Sequence, residues 1–177
     1  MSLYRAIGID PSISGTGIVL LQENGTSKPE LLVEHEIKPE GKGLERTRSI
    51  AINVLKLVHN WQPDAIVLEG YSLGKNPNST IPLVELGGIL RLMMMIDGLK
   101  WYDPRASKLK KFVTGKGNTQ KDQMMMYVLK RWDHTSMTNN TADAYGLACM
   151  GLAVKNRLPG ITQEMRAVSA EMELRCH

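Results

Sequence analysis

Cysteine is nearly absent, with Cys149 and Cys176 the only two in 177 residues. Two thiols make neither a disulfide framework nor a zinc quartet, and the four histidines are scattered without zinc-ligand spacing. This usage fits a reducing cytoplasm. Long apolar runs are also missing. Gly, Arg or Asp breaks each one well before the roughly 18 residues that a spanning helix needs, and no basic segment followed by an apolar one opens the chain. Neither export nor a membrane span is therefore expected. Internal repeats and low-complexity tracts are lacking as well, which excludes arrays and fibrous classes.

What is present suits one buried domain. An apolar fraction of 42% with a charged fraction of 23% is ordinary for a globular chain. The length favours one core rather than two, and we expect a domain over residues 1–158 followed by a tail over 159–177. A net charge of +4 and a pI near 9.1 lean towards a polyanionic partner.

The patterning is α/β. Residues 4–38 contain three apolar runs, Tyr4 to Asp10, Ile18 to Leu21 and Leu31 to Ile37, separated by Ser/Gly and Asn-Gly punctuation, and read as an antiparallel meander. Ile50, Val54, Leu57 and Val58 follow the helical period between Leu44 and Trp61. Ala65-Ile-Val-Leu68 is a short continuous apolar run of the kind buried on both faces of a sheet. A second helix is expected from about Thr80 to Asp97, with Gly87-Gly88 marking a close backbone approach and Met93 to Met95 closing it. Trp101-Tyr102 reads as a last short strand, Ser107 as the cap of a basic helix, Thr119 to Trp132 as another helix, and a final core helix begins near Asn140 or Thr141. The expected sheet has five strands, three antiparallel and then two parallel, flanked by helices.

Three acids stand at comparable places: Asp10 at the end of the first strand, Glu69 just after the fourth, and Asp143 in the first turn of the last core helix. Strands one and four of such a sheet can be parallel neighbours, which sets Asp10 beside Glu69. Adjacent carboxylates repel, and a hard divalent cation is the usual reason to assemble them. A third acid allows two ions. The basic residues concentrate as well: Lys108, Lys110, Lys111, Lys116, Lys121, Lys130 and Arg131 fall within 24 residues, opposed only by Asp122, which suits a phosphate backbone.

Four segments together, Ile7-Gly-Ile-Asp10-Pro with Gly15-Thr-Gly17, Ile66-Val-Leu-Glu69 with Lys75-Asn76, Gly115 to Gln123 around Lys121, and Ala142-Asp143-Ala-Tyr-Gly-Leu-Ala148, resemble in order the signature segments of the RuvC-type Holliday-junction resolvases. The resemblance spans about residues 4–156. It implies an RNase H-like fold, a homodimer, and paired metal-dependent incision of four-way DNA that leaves 5′-phosphate and 3′-hydroxyl ends. It also implies two Mg²⁺ per site, replaceable by Mn²⁺, with Asp10, Glu69 and Asp143 as ligands and Lys121 and Lys110 near the scissile phosphate. Lys75, Asn76, Tyr71, Lys108, Lys110, Lys111 and Lys116 would contact DNA. The family's fourth ligand, most often Asp, falls here on Asn140, whose amide oxygen can still meet a hard cation but brings no charge. The dimer contact is expected on the Gly87-Gly88 helix with Met93 to Met95.

Two other readings compete. With Asn140 in place of an acid, the chain could be a branched-DNA binder without chemistry. An ATPase of the actin and sugar-kinase kind also opens with a strand, an Asp and a Gly-Thr-Gly turn, but 177 residues hold only one of the two lobes it needs. Gly115-Lys-Gly is not a P-loop, so no nucleotide cofactor is expected.

Overall fold

The structure is a computed structural model that describes residues 3–71, 77–118 and 121–175; the side chains of Pro77, Ser79, Lys121 and Asp122 are not among those described. The sheet is built first from a meander, β1 (Arg5–Asp10), β2 (Thr16–Gln22) and β3 (Glu30–Ile37), with antiparallel registers Ile9↔Ile18 and Gly17↔Glu36. Helix α1 (Leu44–Trp61) then crosses over to β4 (Ala65–Leu68), which pairs parallel to β1 with Ile9 opposite Leu68. Helix α2 (Pro77–Ile96) leads to β5 (Trp101–Tyr102), parallel to β4. Helices α3 (Ala106–Thr114), α4 (Lys121–Trp132), α5 (Asn139–Val154) and α6 (Gln163–Ala170) follow, and β6 (Leu174–Arg175) closes the order β3-β2-β1-β4-β5-β6.

The sheet therefore has six strands where five were expected. The sixth comes from the tail. It is two residues long, antiparallel to β5, and exposed, so it has no apolar alternation to announce it. The tail also contributes Ile161, Met165, Val168 and Met172 to a buried cluster.

Strand parity sorts the core into two layers. Ile7, Ile9, Ile18, Leu20, Ile66 and Leu68 pack against α1 and α2 on one face. Ala6, Val19, Leu21, Ala65 and Val67 pack on the other against α5, α3, α4 and α6. Helix α5 is the centre of that second layer, buried nearly all round because its side chains are small: Ala142, Ala144, Ala148, Ala153 and Gly151. It lies directly on β1 and β2. A Cβ at Gly8 would stand 1.9 Å from the Ala144 carbonyl oxygen, and one at Gly17 would stand 2.2 Å from the Asn140 carbonyl oxygen.

Local details differ from the sequence expectations in three places. The contact expected to bring a backbone to Gly87 is made by a ring: a Cβ there would meet Tyr71 Cε1 at 2.8 Å. Helix α3 begins at Ala106 after extended Arg105, with no side-chain cap, so Ser107 lies inside it. Helix α5 is capped by Thr138, whose hydroxyl accepts from the Thr141 amide while Thr141 reciprocates. Starting at Asn139, it carries no acid in its first turn, and Asp143 opens the second. Proximity to the helix N-terminus is thus a weaker reason for Asp143 than its position in the sequence suggested.

Candidate metal centre

The parity that builds the α5 layer also aims the acids. Asp10 continues the Ala6, Gly8 series of β1, and Glu69 continues the Ala65, Val67 series of β4, so both leave their strands on the face that α5 covers. The parallel ladder runs past the strand end, with the Glu69 amide donating to the Ile9 carbonyl at 2.9 Å, and this fixes the two carboxylates as neighbours. Asp143 arrives from α5, one residue before the Ala144 that touches Gly8. One carboxylate oxygen from each of Asp10, Glu69 and Asp143 lies within 4.8 Å of the others. Asp10 is buried and the other two are half-buried. The acids border a cavity of about 540 Å³ whose wall also includes Asn140, Arg46, Arg91, Tyr71 and Lys110.

Three like charges at this separation need compensation. Carboxylate oxygens are hard donors, and a compact all-oxygen set at the edge of a cavity fits a hard divalent cation of the Mg²⁺ or Mn²⁺ type rather than zinc or copper. The protein's own cations sit at the rim. Lys110 and Arg46 line the cavity, and Arg91 backs the cluster from α2.

Arg91 was not singled out in the sequence, where it merely interrupts an apolar helix. Its Nη2 donates to the Glu69 carbonyl at 3.1 Å and its Nη1 to the Gly87 carbonyl at 2.9 Å, and its Nε lies 3.8 Å from Asp103 Oδ2. The guanidinium also stacks 4.1 Å from the centre of the Tyr71 ring. Tyr71, expected to face DNA bases, is thus sandwiched against Gly87 by Arg91 while 47% of its surface stays exposed.

Asn140 is held from the other side. Its Nδ2 donates to the Gly15 carbonyl at 2.6 Å and to Glu36 Oε1 at 3.3 Å. Glu36, on β3 opposite Gly17, also accepts from Thr138 Oγ1 at 3.2 Å and pairs with Lys38. Burial works against a charge on Glu36, yet hydrogen bonds from Lys38, Thr138 and Asn140, together with the Lys38 charge, hold its carboxyl below the usual range. Glu36 also escaped the sequence reading, since a charged residue alternating along an edge strand is ordinary.

The basic cluster divides. Lys110 reaches the acidic cavity, whereas Lys108 lies 3.1 Å from Glu171 and Lys111 lies 3.8 Å from Glu164, both acids of the tail. Lys116 is exposed on the turn after α3. Lys75, Asn76 and the side chain of Lys121 fall outside the described residues. Among those residues no helix is long and apolar enough to cross a membrane.

The family model for Crossover junction endodeoxyribonuclease RuvC matches residues 6–150. The RuvC of Wolbachia pipientis wMel is 30% identical over 149 residues, covering 82% of this chain and 92% of its own. That of Hahella chejuensis is 29% identical over 158 residues, covering 88% and 91%. Thermus thermophilus RuvC, solved in complex with Holliday junction substrate, superposes with a TM-score of 0.70 at 21% identity over 82% of this chain and 90% of that one. An acidic cluster at the strand ends, in the fold of that resolvase and with a family match covering all three acids, places the chain in the RuvC family of crossover junction endodeoxyribonucleases.

Proposed function

We propose that the chain resolves four-way DNA junctions, hydrolysing phosphodiester bonds at the Asp10, Glu69 and Asp143 cluster with two Mg²⁺ per site, for which Mn²⁺ can substitute. The observation that carries the reading is the convergence of three carboxylates from two parallel strands and one helix to within 4.8 Å. These residues would hold the ions, with the Asn140 side-chain oxygen as an uncharged fourth donor. When bound, such cations supply Lewis-acid activation of the phosphodiester and of water. Asp10, buried and flanked by the other two acids, would be the central ligand of that set. Lys110 on the cavity wall, and Lys121 from the start of α4, would meet the charge that gathers on the phosphate. Tyr71 on the cavity wall, Lys75 and Asn76 a few positions further along the chain, and Lys108, Lys111 and Lys116 on the basic segment would carry the DNA backbone. Lys108 and Lys111 exchange their tail glutamates for phosphates as they do so. Paired incision needs two sites facing one junction, which a two-fold homodimer supplies; a cytoplasmic compartment suits the substrate.

The test is a cleavage assay on a synthetic four-way junction with Mg²⁺ or Mn²⁺. Nicked duplexes with 5′-phosphate and 3′-hydroxyl ends are expected from this chain, with Asp10→Asn binding the junction but leaving it uncut. Junction binding without incision under any divalent ion would reduce the chain to a branched-DNA binder.

A further inference from the structure

We infer that Glu36 is a positioning residue for Asn140, turning its side-chain oxygen towards the carboxylate cluster, and that this pairing is why an amide rather than an acid stands at position 140. The inference rests on the reading of Asn140 as a fourth donor. Both protons of Asn140 Nδ2 are engaged, one by the Gly15 carbonyl at 2.6 Å and one by Glu36 Oε1 at 3.3 Å. A reversed amide would set oxygen against oxygen at both contacts, so the planar group has one favourable orientation. With its nitrogen committed to the turn before β2 and to β3, its oxygen is the atom left for the cavity that Asn140 lines with Asp10 and Asp143.

An aspartate here would lose both bonds and face the Glu36 carboxylate and the Gly15 carbonyl with a charge of the same sign. The backbone offers no retreat. Gly17, opposite Glu36 in the ladder, already has the Asn140 carbonyl 2.2 Å from where a Cβ would stand, and a Cβ at Gly15 would lie 2.9 Å from Glu36 Cδ. Glu36 is also tied to the Thr138 cap of the same helix, so it cannot swing away without loosening the start of α5. Charge has thus been moved out of the metal ligand and into the residue behind it.

The test is a double-mutant cycle on the full chain with Asn140→Asp, Glu36→Gln and their combination. It is read by thermal unfolding in EDTA and by Mn²⁺ titration followed by electron paramagnetic resonance. Asn140→Asp is expected to melt about 4 °C or more below the parent without metal and to bind Mn²⁺ no tighter than the parent, despite its added charge. Adding Glu36→Gln should restore the melting temperature and tighten Mn²⁺ binding by about tenfold over Asn140→Asp alone, the usual scale of outer-shell effects. The inference is overturned if Asn140→Asp alone melts like the parent and binds Mn²⁺ about tenfold tighter, or if Glu36→Gln changes neither property of Asn140→Asp, failure to fold included. A parent chain that binds no Mn²⁺ sinks the metal reading instead, while the melting cycle in EDTA still judges the pairing of Glu36 with Asn140.

Discussion

Replacing Asp10 by Asn should abolish hydrolysis and yet make the metal-free protein more stable. The cluster brings oxygens of three acids within 4.8 Å, and at an effective dielectric of about 20 two unit charges at that distance repel by about 3 kcal/mol. Asp10 takes part in two such pairs. Partial exposure of Glu69 and Asp143, the Arg46, Arg91 and Lys110 charges on the cavity wall, and the further contacts that Asp10 and Asp143 make screen much of this repulsion. A net gain of about 2 kcal/mol from neutralising Asp10 is a reasonable expectation once that screening is counted. For a chain of this size each kcal/mol moves the melting temperature by about 2–4 °C, so Asp10→Asn should melt about 4–8 °C above the parent in EDTA at pH 8 and low salt. The order should reverse with Mn²⁺, because an ion at 100 times its Kd stabilises the binding-competent parent by about 2.7 kcal/mol and has lost a ligand in the variant. Differential scanning calorimetry in the two conditions reads both numbers. An Asp10→Asn protein that melts at or below the parent in EDTA would mean that the acids are not in repulsive contact, and the electrostatic account of the site would fall with it.

Two further outcomes follow from the packing. Gly8→Ala must push α5 back by about 1.5 Å to restore ordinary contact with Ala144, costing about 1–3 kcal/mol and carrying Asp143 away from Asp10; calorimetry and Mn²⁺ titration should show lower stability and weaker binding together. Arg91→Met removes the donors to the Glu69 and Gly87 carbonyls and the cover over Tyr71. Urea unfolding should show a loss of about 2 kcal/mol, and a stability within about 0.5 kcal/mol of the parent would mark Arg91 as a surface residue in energetic terms.

The parts of this fold that a sequence shows are those with a short period. Strand alternation and the helical stripe of α1 are local, and so is the apolar run into Glu69; from them the meander, the crossover and the adjacency of Asp10 and Glu69 follow. What escaped is long-range and polar. Glu36 and Asn140 are separated by 104 positions; Asn140 stands out in the sequence through the family resemblance, but nothing there marks Glu36 as its partner. Arg91 is legible only as an interruption in Leu90-Arg91-Leu92, and its meaning lies in the carbonyl of Glu69, 22 positions earlier. The basic segment misleads in the opposite sense. Counted along the chain it is a run of charge, but α6 and the turn after it bring Glu164 and Glu171 to Lys111 and Lys108, which leaves Lys110 as the lysine of that helix on the cavity.

The same packing that makes the core makes the site, and it opposes the mutual repulsion of the three acids. Each acid terminates a series of buried residues: Ala6 and Gly8 before Asp10, Ala65 and Val67 before Glu69, and the small-residue face of α5 after Asp143. To separate the carboxylates, α5 would have to lift from β1 and β2, exposing Ala142, Ala144, Leu147 and Ala148 together with the strand residues beneath them. Burial of that apolar surface, at about 25 cal/mol per Å², outweighs a repulsion of a few kcal/mol. The packing of α5 on β1 and β2 therefore holds the acids in an arrangement that a cation can use. Glu36 extends the arrangement to the N-terminus of α5: through Thr138 and Asn140 it fastens the last strand of the meander to the helix that carries Asp143. A change on β3, outside the acidic cluster itself, should then be felt as a change in metal affinity.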